Sequence, residues 1–441
     1  MSEKLISLGL DVGTTSTQMV VSELTVENQA GSFAVPQMEI QERKIRYKSP
    51  VYFTPLMEGD LVDGEKIRQI VDKEYEKAGI SKAEVDTGAI IITGETSRRE
   101  NARSVLEALA QYAGDFVVAT AGPDLESVLA AKGAGAVAYS AKTGKTVLHM
   151  DIGGGTSNLA LIEDGKITAT TCLNVGGRLI KMDPAGKMIY VSPVLEGLLP
   201  KKEGEVVDRG EVEELAEKLV QALEMVGGLR EKTELLETLR TKEVSGSWPD
   251  VPSGAVISFS GGVADCIESE KKWMEFGDMG PELGRKLRKS RLCQGEYMLG
   301  TETIRATVIG AGSHSAQLSG STVFYQNVAF PLKNLPVADS VEALTKLDGP
   351  GVLAINGEAL DFAGIRDLAK DLTADLKPPV YLAASADLAK ALGVQIALRL
   401  GDQAQILCID RVCLQEGDYL DVGTPVGPAI PVVVKTLILL Q

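Results

Sequence analysis

Apolar and polar positions follow the same order twice along this chain. In residues 8–20 an apolar run ends at Asp11, a short turn follows, and a second apolar run leads away from it. Residues 148–161 repeat this order, with Asp151 near the end of the first run. Each stretch predicts a β-hairpin, and the repetition predicts two related halves of the protein.

Both predicted turns consist of residues with small side chains. They are Gly13, Thr14 and Thr15 in the first hairpin, and Gly153, Gly154, Gly155 and Thr156 in the second. Glycine allows positive φ, so several backbone N–H groups can point at one anion such as a phosphate. One such turn would equally fit an ordinary tight turn. Two of them, each behind an aspartate, favour a phosphate site.

The remaining pattern alternates between strands and helices. Apolar residues at helical spacing, or in short runs, predict helices at 65–78, 100–112 and 211–226 and strands at 88–93, 116–119 and 255–260. Residues 35–51 show only an irregular pattern of strands or loops. Towards the C-terminus, strands at 351–355, 380–383 and 406–410 alternate with helices at 362–376 and 386–400. This rhythm predicts a separate α/β module.

Small residues mark two further segments. Residues 125–140 predict one helix whose second half is made of very small side chains, and residues 307–312 form a second small-residue segment. Small side chains let two elements approach closely, so we expect a crossing between the two halves near Gly135 and Gly310. The strand at 255–260 ends in Gly261 and Gly262, where backbone can approach a flat or anionic ligand.

Composition narrows the class of protein. A chain of 441 residues exceeds a single hydrophobic core and predicts roughly two to four domains. A formal net charge of −16 argues against a nucleic-acid or anionic-membrane surface. Five cysteines without paired spacing predict reduced thiols, and two histidines argue against a histidine-rich metal site or catalytic triad. No secretory signal or membrane-length apolar run is visible, so we expect a cytoplasmic protein.

Five segments now stand in a fixed order: aspartate hairpin, small-residue helix, aspartate hairpin, strand ending in Gly-Gly, and small-residue segment. This order resembles the phosphate 1, connect 1, phosphate 2, adenosine and connect 2 motifs of the actin, Hsp70 and sugar-kinase ATPase superfamily. The resemblance implies an α/β fold, a two-lobed actin-like ATPase of duplicated ribonuclease H-like domains. We expect lobes at residues 1–145 and 146–330, a helical insertion around 180–250, and a C-terminal α/β module at 331–441.

The same resemblance implies a nucleotide site. ATP or ADP would bind with Mg²⁺, which Asp11 and Asp151 would hold through waters. The residues of the two turns would grip the phosphates from the two lobes. Gly261 and Gly262 would lie beside the ribose and base, and Gly310 would complete the nucleotide-binding set.

One position departs from the superfamily pattern. Hsp70-type proteins carry a glutamate near the attacking water in the helix before the second hairpin, where this chain has Ala131 or a close neighbour. Glu126 or Asp151 would then orient the water. We therefore expect slow hydrolysis that depends on positioning and on Mg²⁺ charge.

A narrower resemblance spans the whole chain. Residues 151–158, 174–178, 260–265, 310–314, 421–425 and 431–437 resemble the ethanolamine ammonia-lyase reactivating factors. That family consists of chaperone-like ATPases that release damaged cobalamin from their partner enzyme, so that intact adenosylcobalamin can rebind. The resemblance implies ethanolamine ammonia-lyase as the partner and a cytoplasmic site associated with a bacterial microcompartment. It leaves open the oligomeric state and the need for a small second subunit.

Two other functions remain open from the sequence. Residues 401–403 resemble the catalytic-base motif of small-molecule kinases, but they lie after all five segments instead of between phosphate 2 and the adenosine motif. An actin-like assembly scaffold is the other alternative. The basic run at 285–291 would serve as a docking surface or as a solvated helix face, and we favour the solvated face.

Overall fold

Three larger β-sheets, with helices packed on their faces, make up the computed structural model of the chain. It describes residues 3–13, 16–28, 38–57, 61–92, 101, 105, 109, 117–120, 123–241, 248–300, 303, 305–310, 316–318, 323–347, 349–358, 360–412, 414, 418–425 and 430–436. Most of the predicted helix at 100–112 lies outside these residues, as do His314 and Cys413. The other four cysteines are buried free thiols.

The first sheet contains the first aspartate hairpin. Its elements are β1 (Glu3–Val12), β2 (Ser16–Asn28), β3 (Met38–Lys48), β4 (Tyr52–Phe53), helix α1 (Gly64–Ala78), β5 (Thr87–Ile92) and β6 (Val117–Thr120). The strand order is β3-β2-β1-β5-β6, with β4 paired to β2. Strand β1 is antiparallel to β2 and parallel to β5. Helix α1 begins after its cap Asp63 and ends before Gly79, whose φ of 66° stops the helix.

The second sheet contains the second hairpin. The elements of this region are α2 (Pro123–Gly133), α3 (Ala136–Thr143), β7 (Val147–Ile152), β8 (Ser157–Glu163), β9 (Lys166–Leu173), β10 (Ile180–Met182), β11 (Met188–Val191), α4 (Arg209–Val226), α5 (Glu234–Leu239), β12 (Val256–Ser260), α6 (Gly280–Lys289), β13 (Tyr297–Leu299) and α7 (Ala306–Ile309). The strand order is β13-β12-β7-β8-β9. The insertion between β9 and β12 holds the β10–β11 hairpin as well as helices α4 and α5.

The two sheets share one topology. In each, three antiparallel strands in chain order are followed by two strands that run parallel to the first, which gives the order 3-2-1-4-5. This is the duplicated ribonuclease H-like arrangement of a two-lobed actin-like protein. The predicted fold class is confirmed.

Apolar side chains on one face of the second sheet pack against α4 and α6. The residues predicted to face inward from α4 are all buried: Val212, Leu215, Leu219, Leu223 and Val226. The helix begins two residues earlier than predicted, at Arg209, because Asp208 and Glu211 form a capping box. The opposite face of this sheet is covered by α2 and carries Asp151.

The single helix predicted at 125–140 is wrong. Helix α2 ends at Gly133, and the chain turns at Ala134 and Gly135 before α3 begins. Gly135 has a φ of 82°, a left-handed conformation that ends a helix. The alanines of this run suit a helix by propensity, and the glycines were interpreted as close packing instead of as a helix end.

Helix α2 crosses α7 with backbone against backbone. A Cβ on Gly133 would lie 1.8 Å from the carbonyl oxygen of Ala306, and a Cβ on Gly310 would lie 2.0 Å from that of Leu129. Gly135, where we expected this contact, meets nothing within 4 Å. The crossing therefore depends on Gly133 and Gly310.

The crossing joins the two sheets. Helix α2 packs on β7, β8 and β9, whereas α7 packs on β1 and β2. Val308 and Ile309 of α7 contact Val20 of the first sheet. Arg305 donates a hydrogen bond from Nη2 to the carbonyl of Ser49 at 3.0 Å.

A third sheet occupies the C-terminal region. Its elements are β14 (Ala316–Leu318), β15 (Phe324–Gln326), β16 (Leu332–Ala338), α8 (Val341–Thr345), β17 (Val352–Ile355), α9 (Phe362–Asp375), β18 (Val380–Ala384), α10 (Ala389–Leu400), β19 (Ile406–Ile409), β20 (Asp418–Val422) and β21 (Pro431–Thr436). The order is β14-β21-β20-β16-β17-β18-β19-β15. Its edge strands β14 and β15 precede residue 331, and the predicted domain limits stay a prediction. None of the helices described has both the length and the apolar content needed to cross a membrane.

We predict that Gly133→Ala lowers the thermal stability of the protein. Helix propensity alone would favour alanine, but the new methyl group overlaps the Ala306 carbonyl and forces the helices apart, at a cost of about 1–3 kcal/mol. The measurement is the midpoint of thermal unfolding. Gly295→Ala is the control, because its Cβ meets open space. An unchanged or higher midpoint for Gly133→Ala would contradict the crossing.

Candidate functional site

The two hairpin turns are closed by the same backbone hydrogen bond. In the second hairpin, the N–H of Gly153 donates to the carbonyl of Thr156 at 2.9 Å. In the first, the N–H of Gly13 donates to the carbonyl of Ser16 at 2.8 Å. Thr14 and Thr15, predicted to grip phosphates, lie outside the described residues.

A supporting loop holds the second turn from behind. The N–H groups of Gly177 and Arg178 donate to the carbonyls of Gly153 and Gly154 at 3.0 and 2.6 Å. The neighbouring Gly176 packs so closely that a Cβ there would lie 2.2 Å from the Gly154 carbonyl oxygen. The loop thereby fixes the direction in which the carbonyls of the turn point.

The opposite side of this turn is open. Within the described part of the chain, the N–H groups of Gly154 and Gly155 donate to no backbone carbonyl. A Cβ on Gly155 would meet nothing within 4 Å. Open amides next to a carboxylate suit an anion that arrives with a metal ion.

The first turn has a corresponding support, which reaches across to the second lobe. Thr54 Oγ1 donates to the carbonyl of Gly13 at 2.7 Å, and Phe53 of β4 pairs with Ser16. The guanidinium of Arg178 lies over the Phe53 ring, 5.5 Å from its centre. The supports of the two turns therefore touch.

Asp151 lies at the end of β7 beside the open turn and is 8% exposed. Ser260 donates to its Oδ1 at 2.5 Å, and Thr307 of α7 donates to its Oδ2 at 3.4 Å. Burial raises the pKa of Asp151 to about 6, although these two hydrogen bonds act in the opposite direction. An ionised Asp151 is therefore costly until a cation or further donors reach it.

A fully buried histidine stands behind this aspartate. Both ring nitrogens of His149 lie 3.0 Å from a serine hydroxyl, Nδ1 from Ser258 and Nε2 from Ser260. Burial lowers the pKa of His149 to about 3, so the ring is neutral. His149, both serines and Thr307 were not predicted as site residues from the sequence. Alternation along β7 puts His149 on the same face as Asp151, but only the strand register brings the serines to it.

Glu126 is hydrogen-bonded to Asn158, the residue that pairs with Asp151 in the hairpin. Asn158 stands opposite Asp151 in the β7–β8 register, and its Nδ2 donates to Glu126 Oε2 at 2.8 Å. Both Glu126 and Asn158 are buried. Of the described residues, none gives a partner to Asn158 Oδ1. An orphaned buried oxygen beside a carboxylate fits a hydrated metal ion, since a metal-bound water could satisfy it.

The first hairpin has a related pair. Asp11 is 8% exposed, as Asp151 is, and stands opposite the buried Gln18. A carboxylate faces a carboxamide in both hairpins. The repeat seen in the sequence therefore includes the side chains beside the two turns as well as the turns themselves.

Gly261 and Gly310 each have a packing reason to be glycine. A Cβ on Gly261 would lie 2.2 Å from the carbonyl oxygen of Ile152, next to Asp151, and Gly261 has a φ of 87°. Gly310 lies in the crossing of α2 and α7, as described above. Gly262 follows Gly261 and is half-buried. The nucleotide contacts expected of these three residues remain predictions.

No group of three or more His, Cys, Asp or Glu side chains that could hold a metal occurs among the residues described. Mg²⁺ is commonly bound by one or two carboxylates together with waters and substrate phosphates. Asp151, with the open amides and the Asn158 oxygen nearby, provides donors of that kind.

The basic run at 285–291 consists mainly of cations with partners. Arg285 pairs with Glu282, Lys286 with Glu217, and Arg288 with Glu268. These ion pairs favour the solvated helix face over a docking surface.

The kinase-like segment at 401–403 lies between α10 and β19 of the third sheet. Asp402 is exposed there, and its carbonyl accepts a hydrogen bond from Asn327. It thus belongs to a different sheet from Asp11 and Asp151.

Comparison with solved structures finds similar folds at low identity. The ethanolamine utilization protein EutJ from Carboxydothermus hydrogenoformans is 19% identical with a TM-score of 0.35, covering 69% of this chain and 88% of that one. The Ppx/GppA family member from Aquifex aeolicus is 13% identical with a TM-score of 0.42, covering 70% of this chain and 97% of the other.

Comparison by sequence gives a far stronger match. The chain is 38% identical to the ethanolamine ammonia-lyase reactivase EutA of Salmonella typhimurium and 37% identical to that of Escherichia coli, each over 99% of both chains. The family described as ethanolamine utilisation protein EutA matches residues 3–360 and 343–440. The chain therefore belongs to the EutA family.

Proposed function

We propose that this protein is an ATP-dependent reactivating factor for ethanolamine ammonia-lyase. The relatives that match almost their whole length to this chain carry the name ethanolamine ammonia-lyase reactivase. The observation that carries the nucleotide part of the proposal is the buried Asp151 beside an open, glycine-rich turn. The protein would release damaged cobalamin so that intact adenosylcobalamin can rebind.

The nucleotide would be ATP or ADP with Mg²⁺. Asp11 and Asp151 would hold the ion through its waters, and the amides of the two turns would take the phosphates. Gly261 and Gly262 would lie beside the ribose and base. The bound ion would supply positive charge that offsets the phosphates and the buried Asp151 carboxylate.

Hydrolysis would be slow. Glu126 accepts a hydrogen bond from Asn158 at Oε2, so it would orient a water through its remaining lone pairs. Asp151 is the other candidate for orienting the water, because its carboxylate lies at the end of β7 beside the open turn. Positioning and charge would provide most of the catalysis.

Nucleotide-driven closure would supply the work of reactivation. The proposed lobes, residues 1–145 and 146–330, would move about the crossing of α2 and α7, with residues 331–441 as an appended module. A two-state protein can open a closed cofactor pocket only if it binds the open enzyme better in one nucleotide state. Moving a closed population almost fully to the open state takes about 5.5 kcal/mol of differential affinity.

The proposed setting is the cytoplasm, in association with a bacterial microcompartment. The partner would be ethanolamine ammonia-lyase itself, without nucleic acid or membrane. The net charge of −16 supports a protein partner over a polyanionic one.

We predict that Asp151→Asn and Asp11→Asn each abolish Mg²⁺-dependent ATP hydrolysis in folded protein. Each change removes one carboxylate charge where the ion and phosphates would bind. The measurement is phosphate release with circular dichroism as the folding check. Asp164→Asn is the matched control, because Asp164 lies in the exposed turn at the far end of β8 with a φ of 48° that asparagine tolerates. Wild-type turnover in either site variant would contradict its role.

We predict that Asp151→Asn also stabilises the nucleotide-free protein at high pH. The folded pKa of Asp151 lies above its ordinary value, so the folded state binds the extra proton and loses stability as pH rises through about 6. The ionised group then costs on the order of 3 kcal/mol, because its pKa is raised from 3.8 to about 6, and asparagine avoids this cost. Thermal midpoints in chelator at pH 5 and pH 8 measure this. The difference in thermal midpoint between Asp151→Asn and the wild type should be larger at pH 8 than at pH 5. An equal difference at the two pH values would show that burial does not destabilise the ionised carboxylate.

We predict that the wild-type protein, with ATP, Mg²⁺ and free adenosylcobalamin, restores activity to ethanolamine ammonia-lyase inactivated by bound cyanocobalamin. Asp11→Asn should restore none. Acetaldehyde or ammonia production follows the recovery. No recovery by a protein with active ATPase would overturn the proposal. Phosphoryl transfer to a small molecule would then support a kinase, and sedimentation on adding ATP would support an assembly scaffold.

A further inference from the structure

A row of buried polar groups leads to Asp151 from behind. The row runs from Ser258 to His149, then to Ser260, and ends on Oδ1 of Asp151. The first three residues are fully buried. All four lie on one face of the second sheet, because the parallel register sets Ser258 beside His149 and Ser260 beside Asp151.

The direction of each hydrogen bond follows from the number of protons available. An ionised carboxylate only accepts, so the Ser260 hydroxyl donates to Asp151. That hydroxyl has a single proton, so it must accept from His149 Nε2. His149 therefore carries its proton on Nε2. Its bare Nδ1 accepts from the hydroxyl of Ser258.

Every donor in the row then points towards Asp151. Hydrogen bonds aligned in this way polarise one another, which strengthens the last bond to the carboxylate. That bond engages Oδ1. Among the residues that the structure describes, Oδ2 receives only the longer contact from Thr307, so Oδ2 is the oxygen available to a ligand on the open side.

The first hairpin has no such row. At the positions equivalent to His149 and Ser260 it carries Gly9 and Ile91, whose side chains offer no hydrogen-bonding group. A sheet of this topology therefore does not need a histidine or serine here for its fold. Even when they are fully hydrogen-bonded, buried polar side chains stabilise a fold little more than apolar side chains of the same shape, so the row in the second lobe calls for a role beyond packing.

We propose that His149, fixed as the Nε2–H tautomer, is a positioning residue that acts through Ser260 to hold one oxygen of Asp151 and turn the other towards the metal and phosphates. This role rests on the proposed ATPase function. Partners behind a metal-binding carboxylate or histidine typically contribute 10–100-fold in metal affinity or activity. The two aspartates of the repeat would thus differ, with Asp151 held in one orientation by the row.

The tautomer can be observed directly, because the chain has only two histidines. In protein labelled with ¹⁵N-histidine, His149→Gln identifies the His149 signals by their loss. We expect a protonated Nε2 and an unprotonated Nδ1 in the wild type, and Ser258→Ala should weaken this preference. A proton on Nδ1, or on both nitrogens at neutral pH, would overturn the proposal.

Kinetics provide the second measurement. His149→Leu and Ser260→Ala should lower kcat for ATP at least about tenfold with little change in KM. His149→Gln should retain most activity, since its amide can donate to Ser260. Ser140→Ala is the control, a fully buried serine that donates instead to the carbonyl of Lys145.

The outcomes separate the two proposals. Wild-type kcat in His149→Leu, or an equal loss in His149→Leu and His149→Gln, would overturn the positioning role while the ATPase assignment stands. A wild-type protein with no ATPase at all would overturn both.

Discussion

The contact on which the rest of this structure depends is the crossing of α2 and α7, where no side chain separates the backbones. Gly133 and Gly310 each face a carbonyl oxygen of the other helix so closely that a methyl group cannot fit. Helix α2 lies on the sheet of Asp151, and α7 lies on the sheet of Asp11. The relative position of the two aspartate hairpins therefore depends on this contact. A movement of either helix carries its sheet with it.

Helix α7 also connects the crossing to the candidate site at Asp151. Its Thr307 reaches Asp151, while Val308 and Ile309 pack on the first sheet. Under the proposed function, a cation bound at Asp151 would therefore act on a residue next to the crossing of α2 and α7. The support loops add a second link, because Arg178 behind one turn lies on Phe53 behind the other. Two independent contacts join the turns, and under the proposed function they would give a nucleotide between the turns a physical route to lobe closure.

The sequence predicted what depends on local pattern. The two hairpins, helices α1 and α4 and the strand at 255–260 follow from periodicity, caps and turn glycines, and the repeat of Asp11 and Asp151 gave the duplicated fold. Contacts that depend on how distant segments of the chain pack together were not predicted. Nothing local shows that Ser260 would reach Asp151, or that Gly133 and not Gly135 would meet Ala306. The long strand β3 was uncertain because its residues alternate irregularly, and β14 and β15 join the third sheet only through distant partners. The roles of Thr14 and Thr15 stay predictions.

The central claim is that nucleotide state changes how strongly this protein holds its partner enzyme. The most direct measurement is the affinity of the protein for ethanolamine ammonia-lyase carrying cyanocobalamin, determined once with Mg²⁺ and ATP and once with Mg²⁺ and ADP. We expect dissociation constants that differ by about tenfold or more, which corresponds to about 1.4 kcal/mol or more of differential binding. Equal affinities in the two nucleotide states would contradict it, because a ligand that does not discriminate between two states cannot shift them.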